Sequence, residues 1–135
     1  MKRLIVLFAL FGAFTSYSQV YKFRCFQTYG DKTKGERPIM ESDYTNVDFL
    51  VVVNLDKLRI NTYAEKPFQF DIVKTFEPTK NKSDDDVLSY KAIDNDGDEC
   101  KLTVVIFKNQ EGKHTATLII SYSTFDVHFR LKKND

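Results

Sequence analysis

The sequence predicts an all-β domain: an eight-stranded antiparallel up-and-down barrel or a tightly rolled sandwich. Three observations carry that expectation. Apolar residues recur with period two, the links between alternating runs are short and rich in turn residues, and no window of eleven residues shows a helical stripe.

The alternation places strands at about 20–29, 47–55, 57–63, 67–76, 87–93, 99–107, 115–122 and 125–131. In the third, Leu58 and Ile60 oppose Lys57, Arg59 and Asn61. In the fourth, Phe68, Phe70 and Ile72 oppose Gln69 and Asp71. The last alternates without a fault, with Phe125, Val127, Phe129 and Leu131 on one face and Asp126, His128 and Arg130 on the other. Such half-apolar strands belong to antiparallel sheets. The segment 38–46 breaks the pattern and is expected to hold a short helical turn.

Short links at 56–57, 64–67, 94–98, 109–114 and 123–124 favour pairing of sequential strands. Two longer links, 30–38 and 77–86, are charged and rich in turn residues, and are expected to be mobile. A closed barrel of eight strands leaves no unpaired edge, and its interior is filled by side chains or holds one small ligand. The inward parity is bulky: Tyr21, Phe23, Phe49, Phe68, Phe70, Phe76, Tyr90, Tyr122, Phe125 and Phe129.

The N-terminus reads as an export signal, residues 1–18. Lys2 and Arg3 precede an uncharged run of eleven residues from Leu4 to Phe14, and Ser16 and Ser18 supply the small residues of a cleavage site. A membrane span needs ~20 apolar residues, so this run is a signal rather than an anchor. Cleavage after Ser18 leaves residues 19–135 as a single domain, secreted or periplasmic, with no membrane span in the mature chain. Losing Lys2 and Arg3 leaves 18 cations against 19 acidic residues, a net charge of −1. Without a basic stripe, nucleic acid is excluded as a partner.

Two cysteines, Cys25 and Cys100, remain after cleavage, and an even count in an oxidising compartment predicts one disulfide. Closing a loop of about 75 residues would stabilise the fold by about 4 kcal/mol in the chain-entropy account. The alternative is two separately buried thiols.

The stretch Asp94–Cys100, "DNDGDEC", is the densest cluster of chemistry. With Gly97 as the invariant glycine of an EF-hand loop, ligand positions fall on Ala92, Asp94, Asp96 and Thr103, and the closing bidentate acid is missing. Asp-Gly between alternating strands is instead a hairpin signal, because both residues tolerate positive φ. A weak calcium site of Asp94, Asp96 and Asp98 remains as an expectation beside the hairpin. The other acidic run, Ser83–Asp86, falls at the opposite end of a meander and reads as a solvated loop.

His114 and His128 read as surface residues, and no HxH, HExxH, GxSxG, CxxC or P-loop occurs. No cofactor is expected and the chain is not expected to be an enzyme. Asn81–Ser83 matches a glycosylation sequon.

The stretch Tyr90–Cys100, together with a signal ending in "SQ", resembles small exported bacterial proteins in which a tyrosine-bearing strand enters an Asp-x-Asp-Gly turn and leaves on a cysteine-started strand. No activity and no functional residues come with that likeness. By architecture the chain is also similar to lipocalin- and streptavidin-type (calycin-like) barrels, although without tryptophan it lacks the Gly-x-Trp signature of lipocalins. The expected function is an exported, non-enzymatic binding module for a small apolar ligand or a protein partner, with Phe68, Phe70, Tyr90 and Phe129 lining the pocket. The alternative is a structural or envelope accessory protein with a filled barrel.

Overall fold

The computed structural model describes residues 20–34, 36, 39–108 and 114–133. The expected signal peptide and the tip of the 109–114 link lie outside them. Nine strands follow in order: β1 (Val20–Asp31), β2 (Thr45–Asn54), β3 (Arg59–Thr62), β4 (Phe68–Thr75), β5 (Thr79–Lys80), β6 (Asp86–Ile93), β7 (Glu99–Ile106), β8 (Ala116–Ser121) and β9 (Asp126–Lys133). A single 3₁₀ turn, Glu41–Asp43, occupies the segment where a helical turn is expected.

All pairings are antiparallel and sequential, except that β4 pairs with β6 across the two-residue β5. The first and last long strands then pair, from Phe23 opposite Lys133 to Asp31 opposite Asp126. The result is a closed eight-stranded up-and-down barrel, the architecture the alternation predicts.

The barrel's middle is solid. Cys25, Val51, Ile60, Phe70, Ala92, Leu102, Leu118 and Leu131 are essentially inaccessible and form one core. Three of the inward-parity aromatics behave differently: Tyr21, Phe76 and Phe125 are 48, 39 and 37% exposed. Each lies at or beyond a strand end, where the wall stops. Tyr21 precedes the β1–β9 pairing, which begins at Phe23.

A bulge in β1 between Cys25 and Gln27 re-phases the strand, because one step on β9 spans two on β1. Cys25 consequently points into the core, while Gln27 reaches outward to accept a hydrogen bond from Arg130 (2.9 Å). Arg130 also grips Glu41 through both guanidinium nitrogens (3.0 and 2.8 Å) and lies 3.8 Å above the Tyr44 ring, pinning the 3₁₀ turn to the wall.

The expected Cys25–Cys100 disulfide is absent, and both residues are buried thiols. Cys25 shares its cross-strand row with Leu131, Ala116 and Ile106. Cys100 is the second residue of β7, six residues before Ile106, or about 20 Å of strand away from that row. Burial pushes the Cys25 thiol up to about 12, and burial followed by the Asp94 and Asp98 charges pushes Cys100 up to about 11.

The 77–86 link is more structured than its composition suggests. Its strand β5 pairs with the start of β6. Asp85 is buried, accepting from the Lys108 backbone N–H (2.9 Å) and the Asn81 amide (3.2 Å). Asn81 in turn accepts from the Ser83 and Asp85 N–H groups, so "SDDD" forms a closed corner. Among the described residues, no helix is long and apolar enough to cross a membrane.

Candidate functional site: an apolar mouth with an acidic lip

The meander gathers four connections at one end of the barrel: β1–β2, β3–β4, β6–β7 and β8–β9. Between the last three opens a cavity of about 280 Å³, lined by Thr62, Phe68, Phe70, Asp94, Asp96, Asp98, Ile120, Tyr122, Phe125, Val127 and Phe129. Its floor is the top of the solid core, where Thr62, Phe70 and Ile120 are buried.

Period two explains the lining. Phe68 and Phe70 are successive inward positions of β4, and Val127 and Phe129 are successive inward positions of β9. Phe68 stacks on Phe70 (centroids 5.9 Å apart), and Phe129 meets Phe49 edge-on at 5.4 Å. At the lip, Phe125 stacks on Tyr122 at 4.9 Å. A neighbouring cleft of about 510 Å³, which includes Phe49, Tyr63 and Lys66, shares Thr62, Phe68 and Phe129 with this cavity. The Lys66 ammonium lies 5.3 Å from the Phe68 ring centre.

Of the four aromatics expected to line a pocket, Phe68, Phe70 and Phe129 lie at this mouth and Tyr90 does not. Tyr90 is buried lower in the barrel, with Ala92 and its partner Ile72 between it and the opening. Burial, followed by the neighbouring Tyr21, raises the pKa of its hydroxyl above the ordinary tyrosine value. Parity alone placed Tyr90 inward, but height along the barrel depends on cross-strand register.

The β6–β7 hairpin forms the acidic lip. The Asp94 carbonyl accepts from the Gly97 N–H (3.0 Å), and the Asp94 N–H donates to the Asp98 carbonyl (2.9 Å). Within this hairpin only Gly97 takes a positive φ, of 89°. This is a three-residue loop with a left-handed glycine, rather than the two-residue turn with both central residues at positive φ. Asp94 Oδ1 accepts from the Asp96 and Asp98 N–H groups, both at 2.9 Å, and Oδ2 accepts from Tyr122 Oη at 2.7 Å. The Asn95 side chain accepts from the Gln69 N–H (3.1 Å), tying the hairpin to β4.

Burial works to raise the Asp94 carboxyl, but the Tyr122 hydroxyl and the N–H groups of Asp98, Asp96 and Gly97 outweigh it and hold the carboxyl below the usual range. Burial and the same hydrogen bond push Tyr122 far up. Asp94 is therefore the hairpin's internal brace, with both oxygens engaged. Asp96 and Asp98, the other members of the expected calcium set, stand exposed on the lip.

Among the described residues, three metal-ligating atoms come within 4.8 Å of one another only at Asp31, Asp126 and His128. No sequence motif marks this group, because β1–β9 closure brings together residues from opposite ends of the chain. Asp31 is buried and accepts from the Thr33 N–H (2.9 Å) and hydroxyl (2.6 Å). Lys34 Nζ lies 2.7 Å from Asp126 and donates to the Tyr122 carbonyl (2.8 Å), so an ammonium already supplies positive charge there. Burial lowers His128, against the pull of Asp126 and Asp31. The cluster fastens the β1–β2 connection to β9 just outside the lip.

No protein-family model, curated protein or solved structure matches this chain.

Proposed function

We propose that this chain is an exported, non-enzymatic binding module that takes a small apolar ligand in the mouth of its barrel. The observation that carries the reading is the aromatic-walled cavity, whose floor is the buried core and whose rim carries the β6–β7 hairpin. A concave apolar site with a few fixed polar groups is the usual form of a small-molecule site. Binding rather than catalysis is favoured by the titratable groups in it. Tyr122 holds its proton and Asp94 its charge, so neither is poised to exchange a proton near neutral pH. The export signal and the near-neutral charge agree with a carrier outside the cytoplasm that has no nucleic-acid partner.

A second reading, an accessory protein whose filled barrel only presents loops to a protein partner, draws on the solid middle of the barrel. One experiment separates the two. The uncharged fluorophore phenylnaphthylamine should brighten saturably with the native protein, and Val127→Phe, which fills the cavity from its side, should abolish the signal. Absence of saturable brightening, together with no co-purifying small molecule by mass spectrometry of the natively purified protein, selects the filled-barrel reading.

A further inference from the structure

Resting on the reading of the mouth as an apolar ligand site, we propose that its ligand is an organic cation: a compact apolar or aromatic body carrying one ammonium group. Every charged side chain lining the cavity is acidic, namely Asp94, Asp96 and Asp98, and they occupy one side of the opening. Asp94 is consumed by its own hairpin and by Tyr122, and those hydrogen bonds hold its carboxyl below the usual range and so anionic. No hydrogen bond or ion pair within the described residues engages the carboxylates of Asp96 or Asp98, although their backbones are fixed by Asp94. They are held in place with their charge unspent.

The strands that flank the hairpin on either side bring aromatic rings to the same cavity, and ring faces attract cations. The protein already makes such a contact here, since the Lys66 ammonium sits over Phe68 from the neighbouring cleft. An apolar body entering the cavity would release water from Phe68, Phe125 and Phe129, while its ammonium group would remain at the lip between rings and carboxylates. A carboxylate ligand of the same shape would meet three like charges, which is how a site rejects the wrong partner. Because the lip is solvated, the charge preference is modest and falls with salt.

The test titrates the protein, by amide chemical shifts at neutral pH, with three probes of one apolar body: phenylpropylamine, phenylpropanol and phenylpropanoate. The amine should bind about tenfold tighter than the alcohol, within reach of one cation–π contact and one partly exposed ion pair. The acid should bind weakest. The double variant Asp96→Asn, Asp98→Asn, shown to be folded by its thermal melt, should lose the amine's advantage and keep the alcohol's affinity. Equal binding of alcohol and amine overturns the cation assignment and leaves the apolar site standing. An amine preference that survives in the double variant overturns the role of the two lip carboxylates. No shift with any probe overturns both the cation and the apolar reading of the mouth.

Discussion

Asp94 braces the foot of the β6–β7 hairpin with one oxygen on the backbone and the other on Tyr122. Tyr122→Phe leaves a buried carboxylate oxygen without its donor, a loss of about 1–3 kcal/mol. The pH dependence has a definite sign. The folded-state pKa of Asp94 lies below that of the unfolded chain, so its contribution is present above the unfolded value of about 3.9 and is lost as pH falls through the folded one. Urea unfolding of the native protein and of Tyr122→Phe should therefore differ near neutrality and converge as pH falls through the lowered folded-state pKa of Asp94. A difference that is constant with pH would show that the hydroxyl stabilises something other than the ionised carboxylate.

At the scale of elements, the hairpin's geometry depends on Gly97. A Cβ built there meets nothing within 4 Å, so Gly97→Ala is opposed only by the positive φ. The expected loss is about 1 kcal/mol. Because the lip carboxylates lie either side of Gly97, the substitution should also broaden or shift the Asp96 and Asp98 amide signals while leaving β1 and β2 unmoved. A loss of more than ~3 kcal/mol in chemical denaturation would mean that the hairpin supports the core rather than only the lip. The β1 bulge is the other element that decides what the surface presents. By turning Gln27 outward while Cys25 stays in, it lets Arg130 gather Gln27, Glu41 and Tyr44 on the exterior.

For the whole molecule, stability rests on closure of the β1–β9 and β4–β6 seams rather than on a covalent link. Dithiothreitol should leave the melting midpoint unchanged, and labelling under denaturing, non-reducing conditions should count two free thiols. Leu131→Ala, at the β1–β9 seam and essentially inaccessible, should cost about 2–5 kcal/mol. A midpoint that falls on reduction would establish a Cys25–Cys100 bond after all.

Eight of the nine strands, the order of their pairing and the end of the barrel at which each connection lies are legible in the sequence, whereas the two-residue β5 and the exposure of Leu58 just before β3 are not. Alternation and short turns are local properties, and a meander follows once sequential strands pair. The same local rules placed Phe68, Phe70 and Phe129 inward and marked "DNDGDEC" as a hairpin. They could not place Tyr90 below the mouth, keep Cys25 from Cys100, or bring Asp31 to Asp126 and His128. Each of those outcomes depends on register summed around the barrel and on one bulge, and a one-residue change in either moves a side chain along or across the wall. The composition of the mouth was written into the chain, but its depth and the side on which its charge gathers were decided only when the barrel closed.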